Sequence, residues 1–326
     1  MIFIYVLISD LGDFYAEEML ISAVSLRKYH PHDYILLLTD CDTVKAMQYH
    51  RKDLINFVNE IKTVDFPDNF NKIQRSRFLK TSLNKFTDKD FIFLDTDTIV
   101  LGRLDFKILR EGRGDIRAVR AAHGCIMDRY RFGKHFRRYY AARGISYDED
   151  VYPVKGYYNS GVLFCKNTAR TNRFFNEWHN AWYNSSVEYS WNQDQIDFCL
   201  TNIKLENIVQ PLDGCYNCQI GYADSVRYIE KAKVIHYFSN SAITSYYKFR
   251  NPEYLKHIRY NGVNDKIEQY ISDSVIEYYD KMRLWLNKVP LSSDSIFTKI
   301  EKSLKYRLKT LIVYLAESRK VWKSPS

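Results

Sequence analysis

Apolar residues in the first hundred positions occur in short continuous runs, separated by longer segments with helical periodicity. Short apolar runs between polar segments are typical of strands that are buried on both faces. Apolar positions three or four residues apart, such as Ala16, Met19 and Ala23, are typical of amphipathic helices. The pattern predicts strands over 2–8, 34–40 and 91–94, alternating with helices over 13–30, 43–60 and 72–86.

The second half of the chain is more mixed. Apolar runs at 161–165 and 233–238 predict two further strands, and the aromatic segment 173–183 predicts a helix. Strands that alternate with helices favour an α/β fold, with a mainly parallel sheet flanked by helices. From about residue 246 helical patterns dominate, so we expect one domain over 1–245 and a helical C-terminal extension over 246–326.

Polar side chains follow each of the first three predicted strands. Ser9-Asp10 ends the first, Thr39-Asp40 the second, and Asp95-Thr96-Asp97 the third. The carboxyl ends of parallel strands meet at one edge of a sheet, where ligands bind in open α/β folds. The sequence therefore predicts a binding site at this edge.

Asp95 and Asp97 lie one residue apart, and two such carboxylates repel each other unless a cation lies between them. They suit a hard divalent cation such as Mg²⁺ or Mn²⁺, and the alternative is an ordinary polar turn. His236, inside the apolar run "VIHYF", is either a core histidine or a third ligand. As a ligand it favours Mn²⁺ over Mg²⁺. Such an ion keeps open positions for a diphosphate and polarises a departing phosphate oxygen, which is the chemistry of transfer from a nucleotide-sugar.

Six motifs occur along the chain in the order "YVLISDLGDFYAEEMLISAVSLRKYHP", "FIFLDTDTIV", "YYNSGVLFC", "NQDQIDFCL", "LDGCYN" and "VIHYF". Together they resemble the motifs of glycosyltransferase family 8, whose members have the Rossmann-like GT-A fold. The resemblance covers about Ile4 to Asn240 and places the chain in a remote branch of the bacterial polysaccharide or lipopolysaccharide type.

The resemblance implies a hexosyltransferase that uses a nucleotide-sugar, UDP-hexose, and retains the anomeric configuration. It implies that Asp95, Asp97 and His236 hold Mn²⁺ (or Mg²⁺). The residues that it places near the nucleoside are Ser9, Asp10, Tyr15 and Asp40, while Arg77 and Lys80 approach the base, the diphosphate or the sugar.

On the sugar side, the resemblance implies that Asn159, Ser160 and Gly161 frame the donor sugar. It places Asp194 and Gln195 at the sugar and its anomeric carbon, and in another register Gln193 takes the catalytic position.

The chain departs from the family pattern after His236. The family has Gly and then Lys-Pro-Trp there, whereas this chain has "HYFSNSAITSYYK", with Ser239 at the Gly position. Lys248, or an arginine of the segment 102–143, is expected to replace the phosphate-binding lysine. "LDGCYN" also lacks the family's Pro and Trp.

"FLDTDTIV" also resembles the motif of haloacid-dehalogenase phosphatases, in which Asp95 would be the nucleophile. In that motif a Thr stands where this chain has Ile99, because Thr98 comes one position early. The motif usually lies on the first strand, and "DED" at 148–150 lacks the apolar strand that should precede a second acidic motif. We therefore rank the phosphatase below the transferase.

The net charge of +9 is concentrated in two segments. Residues 102–143 carry 12 Lys/Arg against 4 Asp/Glu, and residues 296–326 carry 8 against 2. The first segment suits an anionic acceptor, either a glycan or a lipid-linked one. The second has the pattern of a basic amphipathic helix, which would suit an anionic membrane face. For both, the alternative is a solvated or self-packed surface.

No nucleic-acid partner is expected, because the basic segments match no nucleic-acid-binding fold, and a non-enzymatic basic module is therefore the weakest alternative. No apolar segment reaches the roughly 18 residues of a membrane span, and "MIFIYVLISD" predicts a strand rather than a signal peptide. We expect a cytoplasmic protein, peripheral on the inner membrane face if the tail binds lipid.

Overall fold

The computed structural model describes residues 1–124, 128–147, 157–238 and 248–275. Within these ranges the strands are β1 (Ile2–Val6), β2 (Tyr34–Thr39), β3 (Glu60–Thr63), β4 (Phe91–Leu94), β5 (Thr98–Val100), β6 (Ile116–Arg120), β7 (Tyr158–Cys165), β8 (Val209–Pro211), β9 (Cys218–Gln219) and β10 (Val234–His236). The helices are α1 (Tyr15–Tyr29), α2 (Cys41–His50), α3 (Lys72–Thr81), α4 (Lys107–Glu111), α5 (Asp128–Ala141), α6 (Ala169–Tyr189), α7 (Gln195–Lys204), α8 (Pro252–Asn261) and α9 (Asp265–Ser272).

A seven-stranded sheet has the order β3-β2-β1-β4-β7-β6-β8. β1 pairs in parallel with both β2 and β4, so the predicted parallel arrangement of the first three apolar runs is confirmed. β7 runs antiparallel between β4 and β6. The polar residues after β1, β2 and β4 therefore follow strands that all end at one edge of the sheet.

A second, three-stranded sheet has the order β5-β10-β9. β5 continues the chain directly after the Asp95–Asp97 loop, and it pairs antiparallel with β10 so that His236 lies opposite Thr98. This small sheet brings a residue from late in the chain to the end of β4.

Helices cover both faces of the large sheet, and successive side chains of β1 point alternately towards the two faces. Phe3 and Tyr5 pack into the core that includes α1, whereas Ile4 and Val6 pack into the core that includes α6 and α7. A continuous apolar run is therefore needed in β1, because each face of the strand meets a separate hydrophobic core.

The predicted single helix over 43–60 is wrong. Helix α2 ends at His50, the 3-10 turn Lys52–Phe57 follows, and Glu60–Thr63 forms β3. Arg51 interrupts the helix with φ −137° and ψ 41°, and its buried guanidinium donates to the carbonyl oxygens of Ile258 (2.9 Å) and Arg259 (2.5 Å). These carbonyls belong to α8, about 200 residues later, so a tertiary contact overrides the local helical pattern.

The described part of the C-terminal segment packs on α1. Arg259 of α8 pairs with the buried Glu17 through Nε–Oε1 (3.0 Å) and Nη2–Oε2 (2.9 Å), and it donates to the carbonyl of Leu11 (2.8 Å). The predicted boundary between residues 245 and 246 and the basic tail 296–326 lie outside the described residues. Among those that are described, no helix is long and apolar enough to cross a membrane.

Candidate active site

The loop Asp95–Asp97 leaves the large sheet at the end of β4 and is held by hydrogen bonds on both sides. The Asp95 N–H donates to the Gly161 carbonyl (2.8 Å), and the Tyr237 N–H donates to the Asp97 carbonyl (3.1 Å). The buried Thr98 hydroxyl donates to the Asp95 carbonyl (2.8 Å). The loop is therefore fixed by β7 on one side and by the chain after β10 on the other.

His236 completes a cluster with the two carboxylates, which we call the acid–imidazole cluster (Asp95, Asp97 and His236). Its Nε2 lies 3.1 Å from Asp97 Oδ1 and 4.0 Å from Asp95 Oδ2. One potential ligand atom from each residue lies within 4.8 Å of the other two.

The negative charge of the cluster is compensated by cations. Lys80 Nζ lies 3.0 Å from both carboxylate oxygens of Asp95. Burial acts to raise the pKa of Asp97, but His236 and Arg250 hold that pKa below its usual value. Asp97 is therefore a carboxylate at neutral pH and can act as an anionic ligand.

The cluster fits a divalent cation. Two carboxylate oxygens and one imidazole nitrogen form a mixed donor set that suits Mn²⁺. Gly161 leaves the space that the cluster needs, because a Cβ on that residue would lie 2.2 Å from His236 Cε1 and 2.7 Å from Asp95 Oδ2. These three residues would hold the ion, with Gly161 forming the floor of the site.

A cleft opens beside the cluster at the carboxyl ends of β1 and β4. Three of the residues predicted for the nucleotide, Tyr15, Arg77 and Lys80, line it together with Asp95 and Asp97. The polar side chains on its wall that the sequence analysis missed are Glu18, Lys72 and Ser76.

Ser9, Asp10 and Asp40 lie beside this cleft rather than in its lining. The Ser9 hydroxyl donates to Asp13 Oδ1 (2.5 Å), and Asp10 pairs with Lys72 Nζ (2.8 Å). Asp40 caps α2 by accepting from the Thr43 N–H (2.8 Å) and pairs with Arg75 Nη1 (2.9 Å). All three have partners within the protein, and Lys72 connects Asp10 to the cleft wall.

Asp194 connects the cleft to the strand that carries the Asn-Ser-Gly motif. Its Oδ1 lies 2.9 Å from Arg77 Nε, which makes an ion pair, although the N–H does not point at the oxygen. Its Oδ2 accepts a hydrogen bond from the Ser160 hydroxyl (3.2 Å). Burial acts to raise the pKa of Asp194, but Arg77 and Lys80 keep it below the usual value. Asp194 precedes α7, with Gln193 exposed and Gln195 half-buried on either side of it.

Arg250 is a further cation near the cluster that sequence reasoning missed. Its Nη1 lies 2.9 Å from Oε1 of the buried Glu18. Burial, and then the charge of Asp97, raise the pKa of Glu18 to about 8. Lys248 begins the 3-10 turn Lys248–Arg250, and its side chain lies outside the part of the chain that the structure describes.

Comparisons with solved structures give several similar folds. The bifunctional glycosyltransferase WbbM is 14% identical, with a TM-score of 0.52 over 86% of this chain and 51% of its own. The galactosyltransferase LgtC is 16% identical (TM-score 0.48; 82% and 99% covered), and GlyE of Streptococcus pneumoniae TIGR4 is 18% identical (TM-score 0.48; 84% and 64% covered). Of these three, only the WbbM match exceeds a TM-score of 0.5, and at this identity it bears on the fold alone.

No curated protein sequence matches the chain significantly. The family model described as "Glycosyl transferase family 8" matches residues 15–242, which is more than two thirds of the chain. The match includes the acid–imidazole cluster and most of the residues that line the cleft, and it confirms the resemblance carried by the six motifs. It also favours a transferase over the phosphatase and the basic binding module. The chain, a glycosyltransferase with the GT-A fold, belongs to glycosyl transferase family 8.

Proposed function

We propose that this enzyme is a divalent-metal-dependent, retaining hexosyltransferase, which uses UDP-hexose and an anionic glycan or lipid-linked acceptor. The observation that carries the proposal is the convergence of Asp95, Asp97 and His236 beside a cleft with cationic walls. UDP and retention are taken from the resemblance to the family.

Mn²⁺ bound at the cluster would supply Lewis-acid stabilisation of the departing UDP oxygens. Around it, the chain supplies fixed positive charge. Lys80 neutralises one side of Asp95 and lines the cleft, and Lys72 stands at the opposite end of α3 from Lys80. Their role would be to bind the diphosphate and to stabilise negative charge as it develops on the leaving group.

Arg250 is our candidate for the phosphate-binding cation that the family has as a lysine. It comes two residues after Lys248, and its charge reaches both Glu18 and Asp97. Glu18 would hold the guanidinium near the cleft until the diphosphate binds.

We assign Asn159, Ser160 and Gly161 of β7 to the donor sugar, together with Asp194. The Arg77–Asp194–Ser160 contacts support this assignment, because they hold a carboxylate acceptor between the cleft and β7. Such an acceptor can orient a sugar hydroxyl and thereby the anomeric carbon. Gln195 and Gln193 are the two candidates for the catalytic position, and half-buried Gln195 is the first residue of α7.

The basic helix α5 supports an anionic acceptor. Lys134 and Arg138 are one turn apart on this helix, and both are exposed. Arg143 plays a different part, because its guanidinium stacks 3.4 Å from the ring centroid of Tyr139.

The test is hydrolysis and transfer with a panel of nucleotide-sugars, in the presence of Mn²⁺ and of EDTA. Asp97→Asn keeps the shape of the side chain but removes its charge, and we expect it to lose at least about 100-fold in activity, more than the loss of an outer-shell partner. The matched control is Asp68→Asn, at an exposed aspartate, which should leave activity unchanged. Activity that survives EDTA and Asp97→Asn would contradict the metal-dependent proposal.

Retention is tested separately by NMR of the product. An α-linked donor should give an α-linked product, and a β-linked product would show inversion instead.

A further inference from the structure

Both ring nitrogens of His236 have a close neighbour. Nε2 faces Asp97 Oδ1 at 3.1 Å, and Nδ1 lies 3.0 Å from Asn217 Oδ1. His236 is 2% exposed and Asn217 is 0% exposed, so water does not compete for these contacts. Which nitrogen carries the proton is therefore decided by the neighbours.

A backbone donor sets the direction of the hydrogen bonds around Asn217. The Gly161 N–H can only donate, and it donates to Asn159 Oδ1 (2.9 Å), which makes that oxygen an acceptor. Asn217 must then turn its amide nitrogen towards the same oxygen, and Nδ2 donates to it at 2.9 Å. Its carbonyl oxygen is left facing His236, and an amide oxygen only accepts.

The consequence is that His236 must carry a proton on Nδ1. In the neutral ring, Nε2 then presents a lone pair to the oxygens of Asp97 and Asp95. Without a metal, a second proton on Nε2 can hydrogen-bond to Asp97, and a divalent cation would take the place of that proton. Metal-ligating histidines are commonly oriented in this way by a hydrogen bond to the other ring nitrogen.

We propose that Asn217 is a positioning residue, which fixes the Nδ1–H tautomer of His236 and so presents Nε2 to the divalent cation. The hydrogen bonds run from the Gly161 N–H through Asn159 and Asn217 to the imidazole. The inference rests on the proposed metal site.

Asn217→Ala removes both hydrogen bonds and should weaken binding of Mn²⁺ alone by about 10- to 100-fold. Asn217→Asp keeps an oxygen that accepts from Nδ1–H but places its second oxygen against Asn159 Oδ1, so its Mn²⁺ affinity should lie between those of Asn217→Ala and wild type. Asn202→Ala is the control for loss of a buried asparagine, since Asn202 is 1% exposed and accepts from the Val209 N–H at 2.8 Å, apart from the cluster.

Mn²⁺ affinity is measured by calorimetry. The tautomer is measured by ¹⁵N NMR of histidine-labelled, metal-free protein, at a pH where the spectrum shows a neutral ring. We expect His236 to be Nδ1–H in the wild type and to lose this preference in Asn217→Ala. This inference alone is overturned if Asn217→Ala binds Mn²⁺ as tightly as wild type, or if Asn202→Ala loses a comparable amount of affinity. It is also overturned if His236 of the wild type has the Nε2–H tautomer. Wild-type protein that does not bind Mn²⁺ would overturn the proposed metal site as well.

Discussion

Gly161→Ala tests whether the space beneath the acid–imidazole cluster is needed for metal binding. The added Cβ would lie 2.2 Å from His236 Cε1, 2.7 Å from Asp95 Oδ2 and 2.9 Å from Asn159 Oδ1. All three contacts are shorter than van der Waals separation. Gly161 has no left-handed backbone angle, so the effect of the substitution is steric alone.

The size of the effect follows from these distances. Carbon atoms normally approach to about 3.5–4.0 Å, so the His236 ring or the backbone of β7 must move by roughly 1.3 Å or more. Overpacking of this kind costs about 1–3 kcal/mol of stability. Because His236 is a proposed ligand, we expect the free energy of Mn²⁺ binding to become less favourable by a similar amount. The Mn²⁺ affinity should then fall by about 10- to 100-fold.

The assay is calorimetric titration with Mn²⁺, run beside thermal denaturation. Gly144→Ala is the control, because Gly144 has φ +67° with nothing within 4 Å of an added Cβ. An alanine there costs about 1–2 kcal/mol in backbone strain but changes no cluster contact. If Gly161→Ala binds Mn²⁺ as tightly as wild type, or Gly144→Ala loses as much affinity, the steric reasoning is refuted.

Two further predictions concern charged side chains. Arg250→Ala combined with Glu18→Gln should weaken UDP binding in the presence of Mn²⁺ by about tenfold, as expected for loss of a charged hydrogen bond. Glu18→Gln alone should leave UDP binding unchanged. Calorimetric titration with UDP distinguishes the two variants. Burial raises the pKa of Asp197 to about 6, from a usual value of 3.8, so the folded state holds this proton more tightly and loses stability as the pH rises from about 4 to about 6. Asp197→Asn keeps an acceptor for the Tyr139 hydroxyl but cannot titrate. Between about pH 4 and about pH 6 the free energy of unfolding in urea should therefore fall by about 3 kcal/mol less in Asp197→Asn than in wild type. Equal pH dependence in the variant and the wild type would contradict the assignment.

The sequence predicted the elements with strong local signals. The first three apolar runs are parallel strands, because a run buried on both faces leaves few other structures open to it. The position of the site at one edge of the sheet was predictable from the parallel arrangement, because Asp95 and Asp97 directly follow β4. The proximity of His236 came from the family resemblance, because no local pattern connects it to a loop about 140 residues earlier.

What the sequence did not predict depends on contacts between distant segments. Glu18 fits a favourable acidic residue in the first turn of α1, yet it is buried against Arg250, 232 residues later. Arg51 likewise ends a helix whose pattern continues, because its partners are the carbonyls of α8. Asn217 lies in a motif that departs from the family pattern, and the role that we propose for it depends on hydrogen bonds to Asn159 and His236.

The most direct test of the account is anomalous diffraction at the manganese edge, from crystals grown with Mn²⁺ and UDP. The account predicts one peak bonded to carboxylate oxygens of Asp95 and Asp97 and to Nε2 of His236, with the diphosphate completing the coordination. Ordered UDP in the cleft without a manganese peak at the cluster, or manganese bound through other residues, would contradict it.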